Sequence, residues 1–84
     1  MKNLQIYDNG GRSFDRYTIF KSREKFSRFD RYGNKLYNGI GSCKTGNGFF
    51  LHIEAQKGSH LGKRVNFEDL DVELQKRLRN EFES

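Results

Sequence analysis

Alternation of hydrophobic and polar residues is the clearest pattern along this chain of 84 residues. The segment NLQIY at residues 3–7 places Leu4 and Ile6 together on one face of a strand. Residues 49–55 (FFLHIEA) alternate in the same way, with Ile53 on an apolar face and His52 on the opposite face. Both segments predict half-buried strands.

A further strand is predicted over residues 13–21, where apolar side chains exceed what one buried face needs. Such a strand is expected at the centre of a sheet, covered on both sides. The run DNGG at residues 8–11 precedes it, and Asn and Gly accept the positive φ angles of tight hairpin turns. The first two strands are therefore predicted to be joined by a turn at this position.

The middle of the chain allows two interpretations. Ser22 could cap a short helix, or a hairpin arm could run to Tyr32, turn at residues 33–34 and return over residues 35–40. We favour the hairpin. Two glycines, at positions 39 and 41, are expected to weaken the end of the returning strand or to mark a bulge.

The remaining segments end in a helix. Residues 44–48 (KTGNG) and 56–62 (QKGSHLG) predict loops, and residues 63–67 predict a short closing strand with Val65 and Phe67 facing inward. A helix should begin near Asp69 or Asp71 and end at Glu83, because leucine and phenylalanine recur every four residues at Leu74, Leu78 and Phe82. Acidic residues crowd its start, where the helix dipole favours negative charge.

These elements predict an α+β fold, with a small antiparallel sheet of four or five strands and one C-terminal helix packed on it. A chain of 84 residues has room for one small domain, which we place at residues 1–84. Its single cysteine, Cys43, excludes an internal disulfide and a multi-cysteine zinc site, which is typical of a reducing cytosol. We see no signal peptide and no apolar run long enough to cross a bilayer, and therefore expect no membrane partner.

Charge is distributed unevenly along the chain. The net charge is +5, but residues 1–64 carry 13 basic and 5 acidic side chains, while residues 65–84 carry 3 basic and 6 acidic ones. Such asymmetry favours one basic face that meets polyanions or an acidic protein surface. The alternative is a solvated surface whose excess charge serves solubility.

Residues 12–37 combine seven of the twelve aromatic residues with eight of the sixteen basic ones, and repeat the tetrapeptide FDRY at residues 14–17 and 29–32. Such a stretch could stack bases and hold phosphates. The same residues are equally typical of ordinary strands with paired surface charges, and both interpretations stay open. The candidate partner- or polyanion-binding residues are Arg12, Arg16, Tyr17, Arg28, Arg31, Tyr32, Lys35, Lys63 and Arg64.

No catalytic, metal or cofactor site is predicted. The loop GSHLGKR at residues 58–64 is one residue too short for a phosphate-binding P-loop and lacks its hydroxyl residue, although Lys63 and Arg64 could still contact an anion. His52, His60 and Cys43 have no spacing of a known ligand set. Because no triad or pair of catalytic acids is present either, we expect a protein that is not an enzyme.

Both ends of the chain resemble one group of small proteins. LQIYDNGG at residues 4–11, followed by FDRYT at residues 14–18, is similar to the start of small proteins encoded by bacteriophages and prophages. HLGKRV at residues 60–65, followed by FEDL at residues 67–70, is similar to the end of those proteins. The middle of the chain departs from them, and no catalytic residues can be transferred from the group.

The resemblance implies a phage accessory protein that acts in the cytoplasm of a bacterial host. Phage proteins of this size often bind and block a host machine such as a restriction or CRISPR effector. Our leading hypothesis is therefore a non-enzymatic inhibitor of a bacterial defence machine, an anti-CRISPR among the options, with a defence protein or ribonucleoprotein as partner. The alternatives are a small module that binds RNA or DNA and a sponge that sequesters a nucleotide messenger.

Overall fold

Antiparallel strands and one C-terminal helix make up the described part of the computed structural model, which covers residues 3–12, 16–42 and 51–83. The strands are β1 (Leu4–Asp8), β2 (Tyr17–Lys21), β3 (Arg28–Phe29), β4 (Lys35–Ser42), β5 (Leu51–Ala55) and β6 (Lys63–Val65), and the helix is α1 (Val72–Glu83). The fold is the predicted α+β class. The sheet has six strands where four or five were expected.

The sheet is organised around β2 and β4. The strand order is β3-β4-β2-β1-β6, and β5 pairs with β4 outside this order. β2 therefore lies between β1 and β4, and its residues 17–20 are all buried, which confirms the predicted central strand. β4 has eight residues and pairs with β2, β3 and β5, so it is the longest strand and the most connected one described.

The predicted bulge at Gly39 or Gly41 is wrong. Both glycines belong to regular pairing, since Gly39 lies opposite Phe20 on β2 and Ile53 on β5. A Cβ atom on Gly39 would lie 2.8 Å from both the Ile19 carbonyl oxygen and the Phe20 ring. Glycine is therefore required here because a neighbouring ring covers the backbone. A glycine inside a strand can mark such a close approach as well as a bulge.

The hydrophobic core lies between one face of the sheet and α1. The pairing of Ile6 with Ile19 places both side chains on this face. The buried members of the core are Ile6, Tyr17, Ile19, Phe67, Leu70, Leu74 and Leu78, with Leu4, Val65 and Phe82 packed against them. Apolar side chains that recur every four residues on the helix thus pack against apolar side chains that recur every two residues on the strands, as predicted.

The face of the sheet opposite α1 is also partly covered. Tyr7 and Phe20 point to this side and are only 8% and 1% exposed. Their rings meet edge to face with centroids 6.0 Å apart, and Tyr37 on β4 continues the row at 6.3 Å from Phe20. This aromatic row is the second packed layer of the molecule.

The connection between β1 and β2 is longer than a tight hairpin turn. The pairing ends at Asp8 and Tyr17, and one further backbone bond joins the Asn9 N–H to the Arg16 carbonyl. The run at residues 8–11 does turn the chain, because the side-chain oxygens of Asp8 and Asn9 accept the backbone N–H groups of Gly10 and Gly11. The turn prediction is correct in place, but its length is wrong.

The predicted hairpin in the middle of the chain is present with a shorter first arm. Residues 22–27 form a turn and an irregular segment, and only residues 28–29 pair with β4.

The predicted closing strand is shorter than expected. Phe67 is inward and buried as predicted, but it begins a short 3-10 turn instead of ending β6. The predicted loop at residues 44–48, the start of the predicted strand at residues 49–50 and Cys43 lie outside the described residues.

Candidate functional site

The nine candidate residues do not form one surface. Four of them lie where β1, β6 and the β1–β2 connection meet, and these are Arg12, Arg16, Lys63 and Arg64. Four others belong to the β3–β4 hairpin, and these are Arg28, Arg31, Tyr32 and Lys35. β3 and β6 stand at opposite ends of the strand order, so the sheet separates the two groups.

Tyr17 is not a surface residue. Its side chain is only 7% exposed and belongs to the core beneath α1. Burial raises the pKa of its phenol, which keeps the group neutral. The first copy of the repeated tetrapeptide is therefore structural at Tyr17, while its Phe14 and Asp15 lie outside the described residues.

Arg16 is engaged in an ion pair with Asp8. Its Nε donates to Asp8 Oδ1 at 2.7 Å, and its second guanidinium nitrogen donates to Oδ2 at 3.0 Å. This two-point hydrogen bond is the main reason why the pKa of Asp8 is lowered and the pKa of Arg16 is raised. Arg16 thus closes the start of the β1–β2 connection, and its charge is not available for a ligand in the way the sequence suggested.

The turn of the β3–β4 hairpin is ordered by one carboxylate. Asp30 Oδ1 accepts the backbone N–H groups of Tyr32 at 2.8 Å and Asn34 at 2.9 Å. The Asp30 N–H donates to the Asn34 carbonyl at 2.8 Å, and Gly33 takes the positive φ of 83° that closes the turn. These hydrogen bonds, led by that of the Asn34 N–H, lower the pKa of Asp30. The second copy of the tetrapeptide therefore builds a rigid turn.

Aromatic rings and cations surround this turn, and we call Phe26, Phe29, Arg31, Tyr32 and Lys35 the tip surface; Phe26 is half-buried and the other four are exposed. Phe29 is 55% and Tyr32 is 78% exposed, and they are two of the three large hydrophobic side chains that are exposed in the described part of the chain. The rings of Phe26 and Phe29 lie 4.8 Å apart. Arg31 lies 5.5 Å from the Tyr32 ring centre and Lys35 lies 5.1 Å from that of Phe26. Solvent-exposed aromatic rings with neighbouring cations are typical of binding surfaces.

The tip surface is held to the rest of the sheet by Glu54 on β5. Arg28 Nε donates to Glu54 Oε1 at 3.2 Å, and the Ser27 hydroxyl donates to the other carboxylate oxygen. The bond from Ser27, and then that from Arg28, lowers the pKa of Glu54. Gln56 adds a contact from its side-chain nitrogen to Asp30 at 3.3 Å. Arg28 is therefore an anchor of the hairpin and is only partly available to a ligand.

A second cluster of rings and cations lies on the face opposite α1. Lys57 Nζ is 4.2 Å from the centre of the Tyr37 ring and 5.4 Å from that of Phe20. The Arg64 guanidinium lies 5.4 Å from the Tyr7 ring centre. Of the three rings and two cations, sequence reasoning selected Arg64 alone. The signal for Lys57 was weak, because it follows β5 by two residues in a segment that predicted a polar loop.

The described residues hold no group of three or more His, Cys, Asp and Glu side chains placed to bind a metal ion. His52 is exposed on β5, as predicted, and it lines a cavity of about 200 Å³ between the sheet and the end of α1. His60 is exposed as well, and Cys43 lies outside the described residues. Within the described ranges, no helix is long and apolar enough to cross a membrane.

Comparison of the chain with protein-family models, with curated proteins and with solved structures finds no match. The tip surface and the cluster opposite α1 are thus the two features from which a function can be argued.

Proposed function

We propose that this protein is a non-enzymatic binding protein that acts through the tip surface and inhibits a bacterial defence machine. The observation that carries the proposal is the exposure of Tyr32 and Phe29 on an ordered hairpin. The defence role is motivated by the sequence resemblance of residues 4–11, 14–18, 60–65 and 67–70 to small phage proteins, with a CRISPR effector as one such machine. Its partner is a protein or ribonucleoprotein of the bacterial host.

The shape and chemistry of the tip surface support protein recognition. Tyr and Arg are, with Trp, enriched at the energetic centres of protein interfaces, and Arg31 and Tyr32 lie together at the end of the hairpin. The hydrogen bonds of Asp30 fix the turn before binding, so little conformational entropy is lost on association.

The direct test is phage plating on hosts that carry a panel of defence systems, with and without expression of this protein. We expect restored plating with at least one system, and loss of this effect in the Tyr32→Ala and Arg31→Ala variants. Val72→Ala is the matched control for Tyr32 because Val72 is 63% exposed on the helix, and Arg12→Ala is the control for Arg31. An unchanged plating efficiency with every system of the panel would refute the defence role.

Pull-down from defended cells measures the interaction separately from its effect. At a central contact, truncation of Tyr32 should cost about 2 kcal/mol, which is about a thirtyfold loss of affinity. The two control variants should retain the partner. If all four variants capture it equally, the contact lies elsewhere on the molecule.

A second candidate function is binding of single-stranded RNA or DNA by the same tip surface. It is favoured by the cations beside two of its rings, Arg31 beside Tyr32 and Lys35 beside Phe26, because bases stack on rings while cations meet phosphates. Fluorescence anisotropy with short labelled RNA and DNA at low and physiological salt tests it. Tight binding with a steep salt dependence would place nucleic acid ahead of a protein partner.

The nucleotide-sponge alternative has the weakest support. Tyr32 at the tip surface does offer an open ring beside Arg31. In the cluster opposite α1, however, the rings of Tyr7 and Phe20 are only 8% and 1% exposed, so a nucleotide could not be held between them. Calorimetry with mononucleotides and cyclic nucleotides would decide this alternative, since saturable heat would revive it.

A further inference from the structure

The cluster opposite α1 has a rigid aromatic floor. Tyr7, Phe20 and Tyr37 come from β1, β2 and β4, and each ring meets the next edge to face at 6.0 and 6.3 Å. The pairing of these three strands fixes the spacing of the rings. The aromatic surface beneath the charges is therefore fixed by regular sheet structure.

Two cations lie against this floor from different parts of the chain. Arg64 is opposite Tyr7 in the pairing of β6 with β1, and its guanidinium lies 5.4 Å from the centre of that ring. Lys57 follows the end of β5, and its Nζ lies 4.2 Å from the centre of the Tyr37 ring and 5.4 Å from that of Phe20. Because the rings are neighbours, the two positive charges lie over adjacent positions of one surface.

These cations have no acidic partner among the described ion pairs. The ion pairs of the described residues join Arg16 with Asp8, Arg28 with Glu54 and Lys76 with Glu73. Burial lowers the pKa of Lys57, and the positive charge of Arg64 lowers it further, while Glu24 opposes the shift. Lys57 is partly buried whereas Arg64 is exposed, so the repulsion between the two charges acts on an ammonium that is already partly removed from water. An anion between the two cations would relieve this cost.

We propose that Lys57 and Arg64 bind a phosphate group on the face of the sheet opposite α1. A guanidinium donates two parallel hydrogen bonds to a phosphate and an ammonium adds a third donor, so the pair suits a tetrahedral oxyanion. The rings already carry the cations, so the site selects the phosphate and not a stacked base. This site is separate from the tip surface and does not depend on the proposed inhibitory function.

Titration calorimetry of the full chain with inorganic phosphate, pyrophosphate and a short single-stranded RNA tests the proposal. Lys57→Gln and Arg64→Gln should each weaken binding about tenfold or more, because each removes a charged hydrogen-bond donor. Lys63→Gln is the matched control, since Lys63 is the exposed neighbour of Arg64 on β6 and its side chain points to the other face. The control should bind within about twofold of the unmodified protein.

The three ligands separate the sources of the phosphate. Binding of phosphate or pyrophosphate indicates a free anion or small phosphoester, while binding of RNA alone indicates a nucleic-acid backbone. An equal loss of affinity in all three variants would overturn the proposal, because it would show that the ligand is attracted by the overall positive charge and not by a particular site. The absence of binding to every ligand would overturn it as well.

Nuclear magnetic resonance gives a second readout, since the pKa of Lys57 should rise when the site is filled. Circular dichroism checks that each variant is folded.

Discussion

At the scale of single residues, two glycines determine how closely segments approach. Gly39 accepts the Phe20 ring above its backbone, and Gly62 brings the residues before β6 against the end of β1. Gly62 has φ 105° and ψ −163°, a region that is almost restricted to glycine. A Cβ atom there would lie 2.1 Å from the Asp8 carbonyl oxygen. These two positions tolerate no side chain.

Gly62→Ala should therefore lower the free energy of unfolding by about 3 kcal/mol or more, from the strained backbone and the contact with Asp8 together. Gly10→Ala is the matched control, because Gly10 has a positive φ of 75° but open space around its Cβ position. The control should cost about 1 kcal/mol. Urea unfolding of both variants measures the difference, and equal costs would mean that the close approach at Asp8 contributes nothing.

The ion pair between Asp8 and Arg16 makes stability depend on pH. The pKa of Asp8 is below its ordinary value in the folded protein, mainly because Arg16 donates to its carboxylate. The unfolded chain therefore binds this proton more readily, so the stabilisation is present above about pH 4 and is lost as the pH falls through the folded pKa.

Asp8→Asn should remove about 1 kcal/mol of stability at pH 7, since solvent screens the partly exposed Arg16. It should also flatten the fall in melting temperature below about pH 4, because the group that titrates is absent. Thermal unfolding followed between neutral and acid pH measures both effects. An Asp8→Asn variant with the same acid sensitivity as the original protein would contradict this account.

At the scale of elements, α1 is the best-defined prediction of the sequence. Asp71 precedes it and accepts the Leu74 N–H at 2.8 Å, which begins the helix where the acidic residues indicated. Leu74 and Leu78 are fully buried. Leu78→Ala should cost about 3 kcal/mol, while Val72→Ala, at the 63% exposed position of the same helix, should cost less than about 1 kcal/mol. Chemical unfolding compares them, and similar costs would indicate that α1 does not pack as described.

The success of sequence reasoning followed local periodicity. Alternation identified β1 and β5, an excess of apolar residues identified β2, and the four-residue repeat identified α1. It failed where the meaning of a residue depends on a distant neighbour. Gly39 is explained only by the Phe20 ring above it, and Tyr17 is buried only because α1 lies over it.

The candidate site shows the same limit. Sequence reasoning chose cations and tyrosines along one stretch, but the strand order divides them between two ends of the sheet. Phe29 and Lys57 were not selected, although each belongs to a cluster of rings and cations. Pairing register brings these side chains together, and a single sequence does not contain that register.

At the scale of the whole molecule, positive charge is concentrated where the hairpin leaves the sheet. Residues 23–35 carry five basic and two acidic side chains. The negative charges of Asp30 and Glu54 are occupied by hydrogen bonds within the hairpin and its anchor. A polyanion or an acidic protein surface would therefore meet an excess of positive charge at the tip surface.

If single-stranded nucleic acid binds there, the double variant Arg31→Ala and Lys35→Ala should reduce the slope of log affinity against log salt by about 1.4, which is two phosphate contacts. The double variant Lys76→Ala and Arg79→Ala removes the same charge from exposed helix positions and should leave the slope unchanged. Anisotropy titrations over a range of salt measure both slopes. If both double variants reduced the salt slope equally, the attraction of nucleic acid would come from the net charge of the protein alone.

The pairing of Ile6 with Val65 has a consequence for the rate of folding. The two residues lie far apart along the chain, in the first and the last strand, so the long segment between them must close into a loop before β6 gains its partner. The β3–β4 hairpin, in contrast, needs only neighbouring residues and can form first. We therefore expect refolding on the millisecond-to-second scale of proteins dominated by non-local contacts, with β6 and α1 docking in the last step.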